Sequence, residues 1–349
     1  MSKLTVGMSD AWFEKEGLRR EPEPWEDGTR VDNLPGRFEW WYFDAHLDDG
    51  TTVVAAIFSK PYVNTQLPCS PQVKLNIVEP NGEAFLETED FKAADFSASE
   101  QRCDVKVGKN WIRGDLKTYT LHFEIKGYSA DLKFEGVVPA WRPGVGKCYF
   151  GENLHDYFGW IVPIPYGHVS GKIVRKGQER EVTGSGYHDH NFGNVALTKI
   201  IDHWYWGRLK IADYSCIFFQ LVATKRYGFE RLPLFMFAKG ERILTGDGSK
   251  LTVSEKEMCT HATGKSYPGI LNFLWQAGND SLDITLSKPE IIDERNLLAG
   301  FSFLKRTLAG LFVRPYYFRF NADTELRIDF EGIKDKQREK AIYESMMLR

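Results

Sequence analysis

Residues 184–194 read GSGYHDHNFGN, and Tyr187, His188, Asp189, His190 and Asn191 are five hydrogen-bonding or ionisable side chains in a row. An extended strand sends successive side chains to opposite faces. Tyr187, Asp189 and Asn191 then share one face, and His188 and His190 share the other. A carboxylic acid set among aromatic rings is desolvated, its pKa rises, and it keeps a proton near neutral pH for delivery to an alkene or a carbonyl. Asp189 is the candidate for that acid. Tyr187, one strand step away, is placed to hydrogen-bond it, and Asn191 to orient either group. The plainer reading of Asp189 is a turn residue that accepts backbone N–H bonds.

The histidine face admits a metal, because an H-x-H pair with His203 or His155 as third ligand is a zinc or iron arrangement. The pair is only half a site, and no acidic residue follows at a matching spacing. His188 and His190 are therefore expected to bridge strands or backbone carbonyls as structural imidazoles. Neither a metal nor another cofactor is expected, and no G-x-S-x-G, phosphate-cradling glycine loop or dinucleotide fingerprint occurs in the chain.

Other chemistry-bearing residues are scattered. Trp40 and Tyr42 fall on one face of a strand-like run and Trp41 and Phe43 on the other, with Glu39 and Asp44 flanking them. Trp204, Trp206 and Arg208 share a face further on, and Gln220 sits inside the apolar run CIFFQLV, where its amide needs a partner. Asn153, His155 and Asp156 form a third polar knot. Aromatic rings stabilise cationic transition states while excluding water. They also fill β cores, which is the simpler use of any single Trp.

The elements that must position these groups are mostly strands. Period-two runs separated by Asp48-Asp49-Gly50 and Pro80-Asn81-Gly82 have the hairpin signature, and the pattern continues for most of the 349 residues. The class is mostly β and antiparallel, in barrels or stacked sheets. VVAAI and CIFFQLV lack polar alternation and predict strands covered on both faces. Residues 1–30 read as a polar, acidic N-terminal extension without a signal peptide, followed by β modules over 31–198 and 199–349. Two segments read as helices: 294–312, amphipathic through Leu297, Phe301, Leu304, Leu308 and Leu311, and the tail DKQREKAIYESMMLR. The first is expected to abut a barrel or to touch a membrane peripherally.

Composition narrows the partners. Lys and Arg number 45 against 48 Asp and Glu, for a net charge of −3, which argues against nucleic acid held by phosphate neutralisation. Phe, Tyr and Trp make up 14% of the chain, suiting dense β cores or a pocket for a hydrophobic small molecule. Five widely spaced cysteines without a C-x-x-C pair read as reduced thiols of a cytoplasmic protein.

The stretch GSGYHDHNFG, followed by HWYWGRL at 203–209, resembles the signature region of the carotenoid 1,2-hydratase (hydroxyneurosporene synthase) superfamily, which includes lipocalin-like Diels–Alderases and cyclases; RFEWWYFDAHLDDG at 37–50 resembles its opening strands. The resemblance implies two lipocalin-like modules in tandem. It also implies a Y-x-D pair, here Tyr187 and Asp189, in which the Asp is the proton donor. The preceding H-x-W pair of the hydratases departs to Phe158-Gly159-Trp160. Without that imidazole to activate water, ring closure is favoured over water addition. The expectation is a cofactor-independent cyclase or hydratase acting on an isoprenoid or polyene-like substrate, with Trp160, Phe158, Trp41, Trp206, Asn191 and Gln220 at the substrate. The alternatives are a pericyclase that works by orientation and a carrier that only binds a lipophilic ligand.

Overall fold

The computed structural model describes residues 4–61, 64–296 and 315–349. The chain is mostly antiparallel β structure and divides into two compact units, Thr5–Leu197 and, with Leu4, Thr198–Arg349. Among the described residues the α-helices are Asp10–Glu16 and the short Leu197–Ile200.

In the first unit the strands run in the order Ala84–Asp90, Gln72–Val78, Thr52–Phe58, Phe38–Leu47, Gln178–Gly193, Asp156–Arg175, Tyr128–Gly136, Thr118–Ile125 and on through the short strands to Phe96–Ala98. Val73, Leu75 and Ile77 from one end of the sheet share a core with Val105, Ile112 and Phe123 from the other. The sheet therefore curls around its apolar face, as one-sided burial of alternating side chains demands. The strand Gln178–Gly193 lies mid-sheet and carries the Tyr187–Asn191 stretch between Phe38–Leu47 and Asp156–Arg175.

The glycines ahead of that stretch are needed for packing. A Cβ on Gly184 would come within 2.3 Å of the His46 carbonyl oxygen, and one on Gly186 within 2.4 Å of the Phe134 ring. Gly186→Ala is therefore expected to lower stability by about 1–3 kcal/mol through overpacking. Comparing denaturation midpoints of the variant and the parent checks this.

The second unit is a nine-stranded antiparallel sheet, with Tyr214–Ala223 buried at every position as CIFFQLV suggested. The tail differs from its expected helix. Ile333–Met347 is a strand, paired along its whole length with Tyr316–Phe330 from Ile333↔Phe330 to Met347↔Tyr316. Its Lys, Glu and Arg residues favour helix in isolation, but Ala341, Tyr343 and Met347 reach the unit's core from alternate positions, and tertiary pairing overrides local propensity. Of the other expected helix, residues 294–296 end the strand Asp280–Asn296, and 297–312 lie outside the described residues. No helix among the described residues is long and apolar enough to cross a membrane.

Candidate active site

Alternation along Gln178–Gly193 produces two polar constellations on opposite faces of one strand. On the outer face Asp189 is 7% exposed. Its Oδ2 accepts hydrogen bonds from the Trp160 indole at 3.0 Å and the Tyr187 hydroxyl at 2.9 Å, and its Oδ1 accepts one from the Asn191 amide at 2.8 Å. Trp160 arrives through the register Trp160↔Asn191 with the neighbouring strand, and its ring packs edge-on against Trp141 at 5.4 Å. Burial pushes the Asp189 carboxyl up to about 6, against the lowering effect of its donors and of His188. A group poised there exchanges protons readily near neutral pH. The three donors also stabilise the carboxylate that remains once a proton has left, without solvent having to reorganise.

The inner face holds a different network, built around a residue that the sequence reading assigned only to the N-terminal extension. Asp27, in the turn Pro24–Asp27, is fully buried. Its Oδ2 accepts from the Tyr119 hydroxyl at 2.5 Å and lies 3.1 Å from His188 Nε2, while its Oδ1 faces His190 Nδ1 at 3.3 Å. His188 donates from Nδ1 to the Tyr42 carbonyl at 2.9 Å, and His190 Nε2 lies 2.9 Å from Glu39. Glu39 also accepts from the Thr29 hydroxyl and the Arg30 backbone. The imidazoles stack on Phe43 and Trp41.

Charge balance explains this arrangement. Burial opposes ionisation of Asp27, yet the charge of His188 and hydrogen bonds from both imidazoles hold its carboxyl well below the usual carboxylate range. Burial lowers the proton affinity of His190, but Asp27 and Glu39 more than offset it, so the imidazole is raised above its ordinary value. The two histidines thus bridge strands and a carbonyl, with buried carboxylates as further partners. His155, on Asp156, and His203, on Asp202, do not join them. The grouping with metal-ligand potential among the described residues is Asp27, Cys103 and His188. Burial first, then the negative charge of Asp27, pushes the Cys103 thiol well above its ordinary value.

The structure brings together Asp189, Tyr187, Asn191 and Trp160, with Phe158 buried opposite Gly193 on Trp160's strand. Trp41 is corrected. Its register partner is His190, and its indole donates to the Asp27 carbonyl at 3.0 Å, so it belongs to the inner core and not to a substrate wall around Asp189. On the Asp189 side the pairing is with Tyr42, and with Trp40 opposite Asn191. Trp206 and Gln220 lie in the second unit, where Gln220 pairs with Tyr205 and Pro233. Asp27, Tyr119 and Cys103 were missed. No local signal separated Asp27 from the other acidic residues around it, of which Glu26 is buried too and pairs with Arg142.

Comparison with known proteins bears out the resemblance to the hydratase superfamily. Over 217 residues the chain is 26% identical to the hydroxyneurosporene dehydrogenase of Chlorobaculum tepidum, spanning 50% of this chain and 54% of that protein. It is 25% identical over 221 residues to the quinolone epoxide rearrangement protein asqO of Emericella nidulans, spanning 60% of each. The chain thus spans little more than half the length of these relatives. The structure of kievitone hydratase from Nectria haematococca superposes with a TM-score of 0.56 at 14% identity, over 99% of this chain and 97% of that one, and shows the same lipocalin-like fold. A model of the Svf1 family matches residues 38–346, and the chain belongs to that family.

Proposed function

We propose that the protein is a cofactor-independent enzyme in which Asp189 protonates a hydrophobic, isoprenoid or polyene-like substrate, with cyclisation or hydration following. The observation that carries this reading is the buried Asp189 carboxyl, pushed up to about 6 and held by Trp160, Tyr187 and Asn191. Superfamily relatives whose names include hydratase and epoxide rearrangement support it. Adding water to an alkene and opening an epoxide both begin by delivering a proton, to carbon in one case and to oxygen in the other. One buried acid serves either. Trp160, Trp141 and Phe158 supply aromatic surface beside it that excludes water and tolerates developing positive charge.

The test is a screen of the purified protein against a geranylated phenol and an acyclic C40 polyene, read by mass. Unchanged mass with a new retention time reports cyclisation, and a gain of one water reports hydration. The active form carries the proton, so kcat/KM is expected to be flat below about pH 6 and to fall about tenfold per unit above it. A rate that instead rises through pH 6 makes Asp189 a base and ends the acid reading. Binding without conversion of any probe favours the carrier.

A further inference from the structure

We propose that Asp44 is the second carboxylate of the reaction, the base that takes up the proton released when the substrate cation is quenched; this rests on the reading of Asp189 as the acid. The register between Phe38–Leu47 and Gln178–Gly193 sets Asp44 opposite Tyr187 and Tyr42 opposite Asp189. Asp44 and Asp189 are therefore diagonal neighbours on one sheet face, within reach of a shared substrate. Asp44 is 3% exposed.

On the inner face Phe43, Ala45 and Val53 pack beside the network of Asp27, His188, His190 and Glu39, whereas the outer face separately buries Asp44, Asn76, Asp189 and Asn191. Two buried carboxyls on one face are costly to a sheet that needs only packing there. An acid and a base carboxylate acting on one bond from two sides is the division of labour that such pairs use.

The steps balance. Asp189 gives its proton to an alkene carbon, a C–H bond forms as the π bond breaks, and the adjacent carbon becomes cationic. Water or an internal nucleophile closes onto that carbon, and the proton lost from the water or from a neighbouring carbon passes to Asp44. The proton taken up by Asp44 then returns to Asp189, whose Oδ2 already accepts from the Tyr187 hydroxyl, so none is consumed. The groups facing Asp44 are His46 Nε2 at 3.9 Å, Tyr187 and Tyr42, with Lys74 further along the same face beyond Ala56.

The test uses full-length protein with 13C-labelled aspartate carboxyls. Removing a neighbouring negative charge in Asp44→Asn is expected to lower the Asp189 midpoint by about 0.5–1 pH unit; an unchanged midpoint overturns the proposal. A wild-type Asp189 titrating at the ordinary carboxylate value sinks the acid reading instead. Should Asp44→Asn fail to fold, the wild-type Asp44 carbon is expected to show an inflection as Asp189 ionises, and a curve without one overturns the pairing. In D2O with the geranylated phenol, Asp44→Asn is expected to lose about 10²-fold or more in product formation while recovered substrate still gains deuterium. Asp189→Asn is expected neither to form product nor to exchange deuterium into the substrate, and wild-type turnover by Asp44→Asn overturns the proposal while leaving the acid reading in place.

Discussion

Asp189→Asn is expected to lower turnover by about 10²–10⁴-fold, the contribution of a general acid, while leaving the fold and hydrophobic-ligand binding intact. The amide keeps the carboxyl's shape. Its oxygen accepts from Trp160 and Tyr187, and a flip of the Asn191 amide turns that donor into an acceptor for the new NH2 group. What it lacks is an acidic proton. The effect on stability has the opposite sign to that of most buried substitutions. Burial raises Asp189 from 3.8 to about 6, so the folded state holds this proton more tightly than the unfolded chain. The stabilisation from that proton is complete below about pH 4 and is lost as pH rises through 6, at a cost of about 3 kcal/mol once the group is ionised. Asn has no such loss. The variant is expected to melt at or above wild type at pH 7.5 and to lose that advantage at pH 4. Tyr187→Phe is expected to cost less activity, since its hydroxyl tunes the acid without replacing it. A folded Asn variant with near wild-type turnover would falsify the acid mechanism and favour a pocket that works by orientation alone.

Stability that rises when a catalytic group is removed fits the way the site is built. On the proposed acid role, the penalty at Asp189 is a cost carried for function. On the other face of the strand the opposite holds. There the carboxylate of Asp27 is held ionised by imidazoles, and the network fastens the C-terminal part of Gln178–Gly193 to the turn Pro24–Asp27 and to Phe38–Leu47. His188 and His190 anchor the strand inward, and Tyr187, Asp189 and Asn191 are aimed outward as a consequence.

How far this was legible depends on the range of the information. Strand periodicity is local, and it separated Tyr187, Asp189 and Asn191 from His188 and His190 without error. It also separated Trp40 from Trp41. Which of them shares a face with Asp189 depends on the register between strands some 140 positions apart in sequence, and a slip of one residue exchanges the answer. Trp41 was misplaced for that reason. Asp27 was invisible because Pro-Trp-Glu-Asp-Gly reads as a solvated acidic turn; only the folded sheet supplies the imidazoles and the Tyr119 hydroxyl that compensate its burial. The tail misled through composition. Polar on both faces over its first half, Ile333–Met347 has no strand period until Ala341, and its partner Tyr316–Phe330 supplies what the local pattern lacks.

Asp27→Asn is expected to destabilise the protein by about 3–5 kcal/mol, the loss typical when one partner of a buried charged network is removed and the other is left behind. Global stabilities of about 5–15 kcal/mol make that a large share. The amide removes the negative charge that His190 faces at 3.3 Å, and its NH2 group turns a donor toward donors at Tyr119 or His188. The dependence on pH identifies the mechanism. With its pKa depressed, Asp27 contributes stability present above the unfolded value of 3.8 and lost as pH falls below it. His190, whose pKa is raised, contributes stability that is complete below 6.5 and lost as pH rises through the folded value. Together they make the network strongest between those limits, so the gap between wild type and Asp27→Asn in urea titrations is expected to be widest near pH 5–6 and to narrow toward both acid and base. A gap that is constant across that range would mean that Asp27 acts through packing rather than charge. Because the network sits directly behind Asp189, the variant is also expected to loosen hydrogen-exchange protection at residues 187–191 before that of the apolar core around Leu75 and Phe123.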